Sequence, residues 1–167
     1  MSLKKPAPTA TRSEKEAYVK ALAAISISVF ALLLAVTNYF AGRNSSAVLN
    51  GTISANNLWT WYGTKNVRAS MYHIAAEQGG KNADTFDKQA IRLREDMEEI
   101  EAKARAAEAA RDAAKTKSPW YSYSAMALQL AIVLSSAAIL AVTLSLFYVS
   151  LGVGAIGTAL FFIALGA

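Results

Sequence analysis

The chain has 167 residues, of which 54% are hydrophobic and only 17% are charged, and its formal net charge is +5. An average soluble domain has about 25% charged residues, whereas residues 21–42 and 118–167 of this chain have none. This segregation of charge excludes a soluble globular fold, a disordered chain and a secreted disulfide scaffold. With no cysteine and one histidine, the chain lacks the ligands for iron–sulfur clusters and structural zinc sites. It also has no thiol that could act as a nucleophile.

The first 20 residues form a basic tail, and residues 21–42 follow as the first apolar segment. A helix of about 20 apolar residues crosses a bilayer. Lys20 and Arg43 flank this segment, and Tyr39 and Phe40 lie where an interfacial aromatic belt is expected. A cleaved signal peptide is the alternative, but its apolar region has only about 7 to 15 residues. We therefore predict transmembrane helix 1, with the basic tail and the N-terminus in the cytoplasm.

Residues 43–117 form a long loop that divides at Gly79-Gly80, a strong breaker of helices. After this pair, apolar residues recur every seven positions, with others between them, as in the a and d seam of a coiled coil. We predict an extramembrane antiparallel helical hairpin between the first and second transmembrane helices, with its turn at residues 79–80. Its seam contains Phe86, Leu93, Met97 and Ile100, with Ala90, Ala104, Ala107 and Ala114.

The half of the loop before the glycine pair has a weaker helical pattern, in which Ile53, Thr60, Val67 and Ile74 are seven residues apart. The half after it carries an acidic run that begins at Glu95. We interpret this run as a solvated helix face, because no glycine-containing loop shapes it into a cation site. An isolated hairpin this thin buries little surface, so we expect it to associate with copies of itself or with another protein.

The second apolar block, residues 118–167, is long enough for two transmembrane helices. Ser118 and Pro119 suit the N-cap and the first position of a helix. We predict transmembrane helix 2 over residues 118–149, followed by a turn and transmembrane helix 3 over residues 150–167, with Gly152-Val153-Gly154 in the turn. The third helix itself would then lie near residues 153–167, and its length of about 15 residues is below the usual minimum of about 17. Little tilt, local thinning of the bilayer and a start a few residues earlier are the alternatives. The predicted membrane-interface anchors are Trp120, Tyr121 and Tyr123.

One segment of the loop carries a resemblance to a known family. It reads Asn57-Leu58-Trp59-Thr60-Trp61-Tyr62-Gly63-Thr64-Lys65-Asn66-Val67-Arg68, in which a tryptophan precedes a Tyr-x-x-Lys-x-x-Arg series. This pattern resembles an uncharacterised family of small bacterial membrane proteins, catalogued as domain of unknown function 4337. The resemblance covers most of the chain beyond Lys15. It implies a multi-pass protein of the bacterial inner membrane and implies no particular activity, and our orientation then places the long loop in the periplasm.

The second apolar block both extends the resemblance and departs from it. The segment that begins at Leu128-Gln129-Leu130 resembles the start of the family's second span. The family tends to have basic residues in the turn between its last two spans, whereas this chain has Ala141-Val142-Thr143-Leu144 and no charge there. The final turn is therefore not marked by charge.

Aromatic and basic side chains of the loop form a candidate interaction stripe. Trp61, Lys65, Arg68 and Tyr72 are spaced to lie on one helix face, and a cation among aromatic rings is stabilised by about 0.5 to 2 kcal/mol. Such a stripe can bind an anionic ligand, a lipid headgroup or a partner's carboxylate. The interpretation we favour is packing against the acidic second helix, with Lys65 or Arg68 paired to a residue such as Glu95 or Glu99. The complete stripe is Trp59, Trp61, Tyr62, Lys65, Arg68 and Tyr72.

The remaining patterns argue for packing more than for chemistry. We interpret His73 as a helix-surface residue, because no other histidine or cysteine accompanies it. The apolar segments carry no ionisable side chain near mid-bilayer, where transporters and pumps usually have one. Small residues spaced for close helix packing are Ala24, Ser28, Ala31 and Ala35 in the first span and Gly154 and Thr158 in the third.

The leading hypothesis is therefore a non-enzymatic integral membrane scaffold or accessory subunit that acts through coiled-coil and transmembrane helix contacts. The alternative is a homo-oligomeric channel or transport component, in which Asn38, Gln129 and Ser135 would face a common axis. An enzyme would need a base with a positioned partner, which we do not find. We expect no cofactor or metal. We expect the lipid bilayer and protein as partners, either as a homo-oligomer or in a larger membrane complex, and no nucleic acid, since an anionic leaflet accounts for the basic tail.

Overall fold

The computed structural model describes residues 12–166, apart from the side chains of Arg12 and Lys15. In this range the regular secondary structure is all helical, as expected, with α1 (Arg12–Glu77), α2 (Ala83–Ala141) and α3 (Leu144–Gly166) and no strand. Each helix contains a segment long and apolar enough to cross a membrane, which is consistent with a membrane protein. Residues 1–11 of the predicted basic tail, and the last residue of the predicted third span, lie outside the described residues.

The chain divides into two compact units. The first unit contains the described residues of Met1–Asn44 and of Thr116–Ala167, and the second unit is Ser45–Lys115. Helices α1 and α2 therefore contribute to both units, whereas α3 belongs to the first alone.

Two glycines separate α1 from α2. Gly79 and Gly80 have φ angles of 74° and 124°, which residues with side chains rarely adopt. The N–H of Gly79 donates to the carbonyl of Ala76 at 3.1 Å, as in the usual glycine-terminated helix end. The carbonyl of Asn82 then accepts the N–H of Phe86 at 3.0 Å and begins α2. The break between these helices thus lies at the glycine pair.

The first unit packs its three helices around three clusters of apolar side chains. Every cluster includes side chains from α1, α2 and α3, so all three helices share one interior. Residues near the helix ends and residues near the helix middles both take part, which distributes the buried apolar surface along the helices. The buried members are Ala23, Ala138 and Phe147 in one cluster, Phe30, Leu128 and Ala131 in the next, and Tyr121, Phe161 and Ala164 in the third.

Hydroxyl groups buried in the first unit are hydrogen-bonded. Ser124 Oγ donates to the carbonyl of Gly157 at 2.8 Å. Ser135 Oγ donates to Ser150 Oγ at 2.9 Å, and Ser150 Oγ donates to the carbonyl of Phe147 at 2.7 Å. Because an unbonded hydroxyl is unfavourable in an apolar interior, these bonds favour one register of α3 against α2.

The turn between the last two helices lies at residues 142–143, which corrects the predicted turn in residues 150–154. The small residues of that segment are helical because α3 needs them for close packing. A Cβ built on Gly154 would overlap the ring of Phe30, and one built on Gly157 would lie 3.0 Å from Leu128 Cγ. Helix α3 therefore has 23 residues, and the alternative of an earlier start is the one that holds.

Helix α2 continues through Ser118 and Pro119, which corrects the predicted helix start at these residues. Proline removes one backbone hydrogen bond from a helix, the one that its nitrogen would donate to the carbonyl four residues earlier, here that of Lys115. Here Asn44 Nδ2 donates to Ser118 Oγ at 2.8 Å, and Ser122 Oγ donates to the carbonyl of Ser118 at 3.2 Å. The polar groups beside the proline are thus bonded while the helix goes on.

Val142 ends α2 in a strained conformation, with a φ of 51°. The N–H of Thr143 donates to the carbonyl of Ala138 at 3.2 Å, in a helix end whose left-handed residue is usually glycine. We expect Val142→Gly to stabilise the first unit by about 1 kcal/mol, because the left-handed conformation is unfavourable for a residue with a Cβ by about 1 to 2 kcal/mol.

Thermal unfolding in detergent micelles measures this effect as a higher midpoint. Val149→Gly is the matched control, because Val149 is exposed and helical within α3. Glycine should lower the midpoint there. An unchanged or lower midpoint for Val142→Gly would contradict the strain.

Candidate interaction site

Small side chains hold the two helical segments of the second unit close together. At Gly51 of α1, an added Cβ would lie 2.9 Å from Arg111 Cβ of α2, so the glycine allows the backbones to approach. Alanines fill much of the remaining contact. The buried apolar residues of this unit are Ala55 and Ala69 of α1 and Ala90, Met97 and Ala104 of α2.

Three side-chain contacts show that the two segments of the second unit run in opposite directions. One is a pair of stacked rings with 5.9 Å between centroids. One is an ion pair, and one is an indole N–H that donates to a carboxylate at 3.0 Å. Residue numbers fall along α1 as they rise along α2. In order from the glycine pair, the contacts are Tyr72 with Phe86, Lys65 with Asp96, and Trp59 with Glu108.

The predicted stripe divides between two sides of α1. Lys65 pairs with an acidic residue of α2, as in the interpretation we favoured, but the partner is Asp96. Trp59 and Tyr62 are half-buried and lie edge to face, with ring centroids 5.5 Å apart. Tyr72 is half-buried as well. These four stripe residues contribute to the pairing of the two helices.

The other two stripe residues lie on the surface. The Trp61 side chain is 62% exposed, and Arg68 is exposed too. A helix turns 100° per residue, so the Trp61 side chain cannot point toward α2 together with those of Trp59 and Tyr62. The structure therefore does not bring all six residues together as one surface.

The predicted seam of α2 is buried or half-buried, whereas the seven-residue series of α1 is exposed. In α2, Met97 is buried, and Phe86, Leu93 and Ile100 are half-buried. In α1, by contrast, Ile53, Thr60, Val67 and Ile74 are all exposed. Sequence reasoning missed the inner side of α1 because alanine, tyrosine and lysine occupy it. The only signal for it was the recurrence every seven residues of Ala55, Tyr62, Ala69 and Ala76.

The acidic and basic side chains of α2 pair mainly along its own surface. Lys103 lies 2.5 Å from Glu99, and Arg105 lies 2.7 Å from Glu101, each four residues apart. These pairs are exposed, so their contribution to stability is small. Among the described residues, no group of three or more acidic, histidine or cysteine side chains is placed to hold a metal ion. His73 is exposed, with Nε2 at 3.5 Å from Glu77 Oε1.

Local hydrogen bonds shift the ionisation of charged groups on this surface. The guanidinium of Arg111 donates to the carboxylate of Asp112 at 2.9 Å, which lowers the pKa of Asp112 below its usual range. The hydrogen bond to Glu101 raises the pKa of Arg105. Both groups are charged near neutral pH even without these shifts, so the shifts only reinforce the ionic character of the α2 surface.

The family model described as "Domain of unknown function (DUF4337)" matches residues 19–167. The matched range includes the Trp59 to Arg68 segment and described residues of both units. The chain belongs to this family. The resemblance seen in the sequence is thus confirmed. Searches of curated proteins and of solved structures find no match.

The predicted membrane-interface anchors of this DUF4337 chain do not form one group. Trp120 and Tyr123 are exposed and lie edge to face, with centroids 6.5 Å apart. Tyr121 is buried and contacts Phe161, with centroids 6.3 Å apart. Tyr121 therefore belongs to the interior of the first unit, which the alternation of faces along a helix explains.

Polar residues proposed for a shared pore also separate in this DUF4337 chain. Asn38 and Gln129 are exposed, whereas Ser135 is fully buried and bonded to Ser150. Ser135 thus has its partner within one copy. The small residues Ala24, Ser28, Ala31 and Ala35 of α1 are exposed rather than packed inside the first unit.

Proposed function

We propose that this DUF4337 chain is a non-enzymatic integral membrane scaffold or accessory subunit that acts through helix contacts. The observation that carries the proposal is the difference between its two units. The first consists of apolar helices that satisfy their own buried polar groups within the described residues. The second presents exposed apolar side chains on one helix and a charged surface on the other. Such surfaces are suited to binding other proteins.

The outside of the first unit supports its placement in a bilayer. Large apolar side chains are exposed on all three helices, including Leu32 of α1, Leu140 of α2 and Phe162 of α3. Lipid solvates such side chains, whereas a contiguous apolar surface in water promotes association. The basic residues before the first span favour a cytoplasmic N-terminus. The proposed setting is the bacterial inner membrane, with the second unit in the periplasm.

The second unit supplies the proposed coiled-coil hairpin. Its helices are antiparallel and close, and a seven-residue repeat faces inward on α2. Its buried residues are mostly alanine, so it buries little apolar surface by itself, and association with other proteins would stabilise it.

Leu93→Asp is expected to remove the chain from its assemblies. Leu93 is half-buried in the α2 seam, which faces α1, so a carboxylate there disrupts the hairpin that presents the surfaces for contacts with other proteins. Native mass spectrometry of the tagged protein, released gently from its own membranes, measures the mass of each assembly and its subunits. Ile91→Asp is the matched control, since Ile91 is an exposed apolar residue two positions earlier on the same helix.

The scaffold would be supported if the parent chain and the Ile91→Asp protein are each found in assemblies and the Leu93→Asp protein is not. Normal assembly of Leu93→Asp would contradict the role of the seam. A parent chain that leaves the membrane as a monomer with no associated protein would contradict the proposed function itself.

A further inference from the structure

Exposed apolar side chains of the second unit are concentrated on α1. Among its described residues, six large apolar side chains of α1 are exposed, against one of α2, Ile91. Five of the six lie on the side of α1 that faces away from α2, and we call them, with Thr60, the outer face of α1. The outer face is Leu49, Ile53, Thr60, Val67, Met71 and Ile74.

The outer face has the spacing of a helix that pairs along its length. Ile53, Thr60, Val67 and Ile74 are seven residues apart, and Leu49 lies four residues before the first of them. A repeat of seven keeps one side chain row against a partner helix over many turns. Since α2 contacts the opposite side of α1, this second repeat has no partner within the second unit.

Charge indicates what covers the outer face. Residues 44–76 contain no Asp or Glu, and their only Lys or Arg residues are Lys65 and Arg68. Lys65 is paired with Asp96, which leaves Arg68 at the border of the face. A strongly charged partner would find no complementary charges there, whereas two copies of this neutral face can meet without burying an unpaired ion. A two-fold contact requires such self-complementarity.

The polar groups of the outer face also suit a close contact. Thr60 Oγ1 donates to the carbonyl of Asn56 at 2.8 Å, so the hydroxyl needs no partner from another chain. Gly63 is helical and exposed, and a Cβ added to it would have nothing within 4 Å. A glycine inside a helix is unfavourable by about 0.5 to 1 kcal/mol relative to alanine. Packing among the described residues gives no reason for Gly63, and a closely packed helix of another chain would give one.

The first unit is compatible with the same repeat. Counting back from Ile53 in steps of seven gives first the small polar residue Ser46 and then the apolar or aromatic residues Tyr39, Leu32 and Ile25, and all four are exposed. Small residues lie between them, at Ala35 and Ser28. Small residues at such positions allow helices to approach within a membrane.

From these observations we infer that a second copy of the chain pairs with this one, parallel and in register, through the outer face of α1. The parallel direction rests on the proposed function, because copies inserted in one membrane share one orientation. The pair is distinct from the contact between α1 and α2 within one copy. It gives the proposed scaffold a two-fold axis along α1.

Cysteine cross-linking in native membranes tests this pairing. The chain has no cysteine, so a single introduced cysteine reports on one position. A disulfide needs Cα atoms about 4.4 to 6.8 Å apart. With a mild oxidant, Thr60→Cys and Val67→Cys should give a dimer of twice 17.8 kDa. The matched controls are Ser54→Cys and Arg68→Cys, which are exposed on α1 beside the outer face and should remain monomeric.

A charge placed in the face gives a second measurement. In the Thr60→Cys protein, Val67→Glu should reduce the dimer about tenfold or more, because an unpaired buried polar group weakens association at least that much. Val67 is exposed within one copy, so the copy itself should stay folded. Ile91→Glu on α2 is the control and should leave the dimer unchanged.

Each other outcome overturns the pairing. Cysteines at positions 60 and 67 that react with a maleimide but do not cross-link, or controls that cross-link equally, would contradict it. A foreign protein cross-linked to Thr60→Cys would exclude self-pairing while preserving the scaffold. A monomer without partners in native mass spectrometry would contradict the scaffold as well.

Discussion

Ala104→Asp is expected to unfold the second unit at neutral pH. Ala104 is fully buried on α2, so the new carboxylate must lose its water or take up a proton. Protonation at pH 7 of a group whose ordinary pKa is about 3.9 requires about 4 kcal/mol, and desolvation of the charged form is no more favourable. A small unit with an alanine-rich interior is not expected to stay folded when its free energy of unfolding falls by that amount.

Circular dichroism and limited trypsin digestion in detergent micelles measure the loss of helix and the exposure of the lysines and arginines in Ser45–Lys115. Ala102→Asp is the matched control, because Ala102 is an exposed alanine two residues earlier on the same helix. It should leave both measurements almost unchanged.

The pH dependence gives the sign of the Ala104→Asp effect. Burial raises the pKa of the new carboxyl in the folded state above its unfolded value. The destabilisation is therefore complete above the folded pKa and disappears as the pH falls below the unfolded value of about 3.9. Helix content that recovers as the pH is lowered toward 4, relative to the parent chain, would support burial. A loss independent of pH would indicate a steric cause instead.

Gly154→Ala is expected to destabilise the first unit by about 1 to 3 kcal/mol, the usual range for an overfilled interior. The added methyl group overlaps the ring of Phe30, and Phe30 is buried against Leu128 and Ala131. The ring can move only if its neighbours move. Thermal unfolding in micelles measures the change as a lower midpoint.

Gly152→Ala is expected to change stability in the opposite direction. Gly152 is in the same helix two residues earlier, and an added Cβ there has nothing within 4 Å. Alanine should therefore stabilise α3 by about 0.5 to 1 kcal/mol through its helix propensity. Phe30→Leu should partly restore the Gly154→Ala protein. Equal effects of the two glycine substitutions would contradict the close contact between α1 and α3.

Features set by local chemistry were predictable from the sequence. The absence of charge in two long segments indicated apolar helices, and the helix break at Gly79 and Gly80 follows from the freedom of glycine at positive φ. Glu101 and Arg105 are paired on the surface of α2, as residues four positions apart on a helix can be. None of these features requires knowledge of which other helix is nearby.

Features set by packing were not predictable from the sequence. The turn at Val142 was missed because a β-branched residue is a poor candidate for a left-handed conformation, whereas nearby glycines are good ones. Those glycines serve helix contact, which a single sequence does not distinguish from a turn. The inner side of α1 was missed for a related reason. Alanines there pack closely, and the larger apolar residues that dominate a periodicity count lie on the exposed side.

The connection between α2 and α3 has a consequence for how the chain enters a membrane. Only Val142 and Thr143 separate the two helices, and the nearest charged residue before them is Lys117. If the protein is inserted as proposed, with the N-terminus in the cytoplasm and the second unit in the periplasm, this connection lies on the cytoplasmic side and does not cross the bilayer. Two residues leave no room for a polar loop there, so α2 and α3 lie beside one another as soon as both have been made. The bond between Ser135 and Ser150 also satisfies two hydroxyls that lipid would leave unpaired. Helices α2 and α3 are therefore suited to leave the translocation machinery together, as one already folded element.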